Sequence, residues 1–271
     1  MNYKKTIISI ALLLTSVTIS AQQKTPDMEQ QLVQRLQEAQ MSGNDKEFYK
    51  AQDDFLQFLE KYDDWDKYYR TRMTRIIYEV NNKRFHRAFL EVLQLTDDIK
   101  ERHPEQYLYV SNMGLGFFYN GRNQHELAEK FFRRALQGID AEKDPIAVFN
   151  AYLSLAQSLS FKHPAEAMAC LDSLPQQMLQ IPMYESGVLG YRCIIANQMG
   201  DREAFKRYFT KYDSIRQHLP DQFNATNLEQ VMVSQCLIQK DYQCALSWCD
   251  SINVPLTATE LRINVYETMG D

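Results

Sequence analysis

The chain predicts an all-α protein built from antiparallel helix pairs, and three observations carry that prediction. Small or apolar residues recur at i, i+4, i+7 in five phased triplets: Ala88/Val92/Leu95, Ala128/Phe132/Ala135, Ala167/Leu171/Leu174, Phe205/Phe209/Tyr212 and Ala245/Cys249/Ile252. Each triplet follows a turn, near Lys83, Gly121, His163, Gly200 and Lys240, and the turns recur every 30 to 42 residues or so, the period of a helix-pair solenoid. No segment shows the sustained period-two alternation of a half-buried strand.

Taken in order, the first 21 residues read as a signal peptide. Lys4 and Lys5 give a basic start, Ile7 to Ile19 is almost wholly apolar, and Ile19-Ser20-Ala21 offers a small residue for cleavage. The apolar run is too short to cross a bilayer core of about 30 Å as a helix, so export to the periplasm is expected, with no membrane span afterwards. An entry helix pair occupies 22–63, where Asn44 and Glu47 have a capping-box spacing. Helix pairs follow at 64–102, 104–140, 145–180, 183–217 and 221–253, together forming a solenoid over 64–253.

Asp144 before Pro145 reads as an N-cap with the favoured first-turn proline. Pro175 and Pro182 predict an early end to the helix that starts at Pro164. Residues 254–271 read as the start of a further, incomplete repeat: Thr257 and Glu260 suggest a capping box, and Gly270-Asp271 resembles a turn with no second helix after it. That pattern predicts a piece of a longer protein.

A small residue at the first triplet position is physically reasonable, because paired helices come closest near their turn and a large side chain would wedge them apart. Phe205 departs from the rule and predicts a splayed fourth pair.

The net charge of -5 argues against a nucleic-acid partner, which would call for a basic stripe. Arg70, Arg72 and Arg75 form a local basic cluster, expected on a solvated face. Asp53, Asp54, Asp63, Asp64 and Asp66 lack the alternation and glycine of a calcium loop and read as solvated helix ends. The five cysteines, Cys170, Cys193, Cys236, Cys244 and Cys249, form no CxxC and suit small core positions. Cys236 and Cys249 are expected to face each other across a pair, which leaves a disulfide conceivable.

Nothing points to catalysis, a metal or a cofactor. His86, His103, His125, His163 and His218 are scattered, mostly beside turns, and none has a second ligand one helical turn away. Gly114-Leu115-Gly116 lacks the strand and third glycine of a nucleotide loop and is better read as a close approach of helices. No Gly-x-Ser-x-Gly elbow occurs.

Gly114, Phe117 and Gly121, with Lys240-Asp241-Tyr242-Gln243-Cys244-Ala245, resemble the tetratricopeptide repeat, as do the turns at Gly200-Asp201 and Gly270-Asp271. The pair at Gly121 departs from that pattern by two extra residues before Ala128. The resemblance covers about three-quarters of the mature chain and implies a right-handed α–α superhelix that binds a peptide or protein partner on its concave side. That side is supplied by the first helix of each pair, which here would place Arg70, Met73 and Ile77, then Ser111, Leu115, Phe118 and Tyr119, then Leu153, Gln157 and Phe161, then Ile194, Asn197 and Gln198 at the groove.

The exported leader ending Ser20-Ala21-Gln22, with Lys46-Glu47-Phe48-Tyr49, Tyr68-Tyr69 and Phe85-His86-Arg87-Ala88-Phe89, further resembles periplasmic sensor regions of Bacteroidetes signalling proteins. That likeness implies the sensor part of a longer, histidine-kinase-linked protein. A stand-alone periplasmic adaptor or assembly factor is the alternative, and an enzyme with a site in the groove is a third reading.

Overall fold

The computed structural model describes residues 26–160, 162–219, 228–251 and 255–270. Over these residues the secondary structure is helical throughout, with thirteen α-helices and two short 3-10 turns at Pro104–Gln106 and Met178–Gln180. The helices are α1 Pro26–Ser42, α2 Asp45–Lys61, α3 Trp65–Asn81, α4 Phe85–Arg102, α5 Tyr107–Gly121, α6 His125–Leu136 and α7 Pro145–Leu159. They continue as α8 Pro164–Asp172, α9 Pro182–Gln198, α10 Arg202–Arg216, α11 Leu228–Ile238, α12 Tyr242–Ser251 and α13 Pro255–Gly270. Adjacent helices pack as pairs, α1 on α2, α3 on α4, α5 on α6, α9 on α10 and α11 on α12. The chain divides into two compact units, whose boundary falls within α7 between residues 155 and 156.

The second-helix triplets lie in the core as their spacing requires. Ala88, Val92 and Leu95, then Ala128, Phe132 and Ala135, then Ala167, Leu171 and Leu174, are all buried. Phe205, Tyr212, Ala245 and Cys249 are buried as well, and Phe209 is half-buried on the same cluster as Phe205. Ile252 lies outside the described residues.

One backbone device makes the joints. Lys83, Asn123, Gly200 and Lys240 have positive φ (60°, 57°, 71° and 60°), and each stands five residues before the first triplet position. The next residue closes the turn: the N–H groups of Arg84, Gln124, Asp201 and Asp241 donate to the carbonyls of Glu79, Tyr119, Ala196 and Cys236 at 2.9–3.0 Å. This is the Schellman bond, which satisfies a carbonyl that the helix end would leave orphaned.

The turn residue of the α5–α6 pair is therefore Asn123 rather than Gly121, and the apparent two-residue insertion disappears. Gly121 ends α5 instead, where a Cβ would collide with the side chain of Val80. The joint before Pro164 is built differently, with the His163 N–H donating to the Leu159 carbonyl at 2.8 Å.

Side-chain caps add to the joints. The carboxylates of Asp144, Asp201 and Asp241 accept from the N–H groups of Ala147, Ala204 and Cys244 at 2.9–3.0 Å. Each such cap is worth about 1 kcal/mol. The last helix begins at Pro255, two residues before the expected cap Thr257; the Thr257 and Glu260 side chains lie outside the described set.

The basic cluster corrects an expectation. Arg70 is buried, Arg72 pairs with Asp98 at 3.7 Å, and Arg75 pairs with Asp53 at 2.5 Å and Glu91 at 3.8 Å. These arginines tie α3 to α2 and α4, which periodicity alone could not reveal. Several of the acidic residues are likewise engaged: Asp54 pairs with Arg35, Asp64 caps α3, and Asp66 accepts from Gln106.

Candidate functional site

The first helices of the unit comprising residues up to 155 carry an unusual number of buried polar side chains. Arg70 on α3 and Asn150 on α7 stand sixth in their helices, and Ser111 on α5 stands fifth; each is 4% exposed. Arg70 Nε, Ser111 Oγ and Asn150 Nδ2, with the hydroxyl of Tyr109 on α5, are buried and make no hydrogen bond. All four can donate. Leaving a buried donor unsatisfied costs about 1–3 kcal/mol, and since Asp98 and Arg216 on second helices also bury an unpaired polar atom, the feature that sets these helices apart is the cluster they build around Arg70.

The best-defined part of this set surrounds Arg70. Its Nη1 donates to Asp144 Oδ2 at 3.3 Å, linking α3 to the residue that caps α7. Gln106 Nε2 donates to Asp66 Oδ1 at 2.8 Å across the start of α5. Partial burial raises the Asp66 carboxyl from its ordinary value, although the residue keeps an exposed side; Arg70 opposes the shift and Asp144 adds to it. Burial also pushes the Tyr109 phenol up, with Arg70 opposing and the carboxylates of Asp144 and Asp66 adding. A guanidinium, a phenol, an amide and two carboxylates thus converge in one polar cluster. Such a set offers both donors and acceptors to a polar chain.

The expected groove residues divide by burial. Met73, Ile77, Phe118 and Leu153 are core residues, not exposed lining. Phe118 packs on Phe89 with ring centroids 5.3 Å apart, beneath the guanidinium of Arg122 at 5.5 Å. Tyr119 is half-buried and stacks on Phe131 at 5.3 Å, and Leu115, four residues earlier on the same helix, is half-buried as well.

Beyond residue 155, Gln157, Ile194 and Asn197 are half-buried and Gln198 is exposed. Asn197 Nδ2 donates to Ser234 Oγ at 3.2 Å, tying α9 to α11, and Ile194 packs against the α9–α10 core. Phe161 lies outside the described residues.

Sequence reasoning did not single out Tyr109 or Asn150, and it treats Asp144 only as a cap and Asp66 only as a linker acid. A polar residue at the fifth or sixth position of successive first helices was the available signal. The cysteines also differ from expectation: Cys236 is joined to Cys244, not to Cys249, which is buried in the same core cluster. Among the described residues no group of three His, Cys, Asp or Glu could hold a metal ion, and no helix is long and apolar enough to cross a membrane. No protein-family model matches the chain, and the comparisons with curated proteins and with solved structures likewise find no match.

Proposed function

We propose that the chain is a non-catalytic, exported binding module, a right-handed α–α superhelix of tetratricopeptide kind whose first helices hold a peptide or protein partner. Its place is in the periplasm, as the sensor part of a longer signal-transduction protein. The observation that carries the reading is the recurrent pairing of helices together with the polar cluster around Arg70, whose accessible members are the exposed Asp66 and the half-buried Gln106 and Asp144. A partner's main chain carries both N–H donors and carbonyl acceptors and can pair with the carboxylates and amide of that cluster, which an apolar ligand could not.

Partner capture from periplasmic extract on the immobilised chain, followed by calorimetry, tests this reading. The double variant Asp66→Ala, Gln106→Ala should lose about tenfold or more in affinity while keeping its helical circular dichroism. Unchanged affinity would show that these groups do not meet the partner. The superhelix has its own test in X-ray scattering. A compact chain of this length would have a radius of gyration of about 18 Å, and a superhelix should clearly exceed it.

A further inference from the structure

We propose that the Cys236–Cys244 disulfide is a thiol-exchange site entered at the Cys244 sulfur, and that its reduction by a dithiol releases α12 and α13. The disulfide joins the end of α11 to the start of α12 over a sequence separation of 8, across the turn at Lys240. Its two sulfurs are not equivalent. Cys236 is 2% exposed and sits in a core cluster with Val233, Leu237, Ala245, Cys249 and Val265, whereas Cys244 is only half-buried. An incoming thiolate can therefore reach Cys244, and access decides which sulfur is attacked.

The exchange balances in two steps. The first thiolate of the dithiol bonds to Cys244 Sγ, the Cys236–Cys244 bond breaks, and Cys236 leaves as a thiolate that takes a proton. The second thiolate of the dithiol then attacks its own partner sulfur in the mixed disulfide and expels Cys244. Two electrons and two protons enter the protein, and the dithiol leaves as a disulfide.

Cys244 is suited to the second departure. It stands in the first turn of α12, where the helix dipole favours a thiolate, an effect partly offset by the capping Asp241 carboxylate that accepts from the Cys244 N–H at 3.0 Å. Cys249 takes no part, because it is fully buried and burial pushes its thiol up.

What the bond holds is a helix that cannot stand alone. α12 spans Tyr242–Ser251, only 10 residues, and a helix of that length is marginal without packing. Its buried contacts are Ala245 and Cys249, and α13 reaches the same cluster through Val265 and Leu261. Cutting the tether therefore loosens α12 and α13 together.

The full chain, purified without reductant, supports the test. Trypsin cleaves after Lys240, between the two cysteines, so the two peptides should remain joined until reduced. A brief pulse of glutathione, quenched in acid, should place the adduct on Cys244. Dithiothreitol should then speed hydrogen exchange in 242–270 on the order of tenfold or more, with 26–219 unchanged. Cys244→Ser should reproduce that exchange without reductant, and Cys249→Ala should keep the oxidised pattern. Unlinked peptides, an adduct on Cys236, or identical exchange before and after reduction would each overturn the proposal.

Discussion

Arg70 and Asp144, 74 residues apart in sequence, meet through an Nη1–Oδ2 contact of 3.3 Å at the start of α7. The arginine side chain is 5% exposed and the aspartate side chain 29%, so the pair is neither fully desolvated nor a surface contact. Asp144 serves twice, since its other oxygen accepts from the Ala147 N–H. Two substitutions separate the roles. Asp144→Asn should keep the cap and cost about 1–2 kcal/mol through the weakened pairing, an intermediate value for a half-screened contact. Asp144→Ala should cost about 1 kcal/mol more, because the cap is lost as well. Urea unfolding of both variants reads the difference.

The neighbouring Asp66 gives a pH dependence of defined sign. Its carboxyl is raised by partial burial, against the pull of Arg70, and because the residue keeps an exposed side, solvent screening makes the effect small. A raised carboxyl favours the folded state below the ordinary value near 4, and that contribution is lost as pH rises through the folded value. Asp66→Asn removes the dependence. Between pH 4 and pH 7 the stability of the variant should therefore improve relative to the parent, measured as unfolding midpoints in urea.

The turn residues offer a stabilising change. Lys83 adopts φ 60° and Asn123 φ 57°. A left-handed conformation costs a lysine about 1–2 kcal/mol and glycine almost nothing, while asparagine tolerates it better than most. Lys83→Gly should gain about 1 kcal/mol after the entropy glycine restores to the unfolded chain. Asn123→Gly should gain less. Thermal unfolding should rank the two in that order.

Close approach can be probed at Gly116, where an added Cβ would overlap the ring of the buried Phe132. Gly116→Ala should cost about 1–3 kcal/mol despite alanine's better helix propensity. Pairing it with Phe132→Leu should return part of the loss, and a double-mutant cycle in urea would measure the coupling. Ala128→Phe, at the neighbouring triplet position, should be penalised by a similar amount.

The helix pairs and the buried face of their second helices were legible because both are local. A small residue one turn into the second helix, as at Ala88, Ala128 and Ala245, reports a constraint set within a few residues. The true turn residue at Asn123 was hidden because Gly121 is the more conspicuous turn former, yet here it serves packing on Val80. The candidate site was less legible for a different reason. Phe118 has the right spacing for a first-helix face, but spacing fixes direction and not what covers it; Phe89 does so. The Arg70 cluster depends on Asp144, and the pairing of residues so far apart leaves no trace in either local pattern.

The recurrent joint also bears on how the chain is made. Its closing bonds, from Arg84 to Glu79, Gln124 to Tyr119 and Asp241 to Cys236, connect residues five apart. A hairpin so closed needs nothing from sequence not yet synthesised. Ribosomes add about 5–20 residues per second, so a pair of about forty residues takes seconds to emerge, whereas its helices form in about a microsecond or less. Each pair can thus close its joint before its successor exists and then await that neighbour to cover its apolar face, so the newest pair carries the principal uncovered apolar surface.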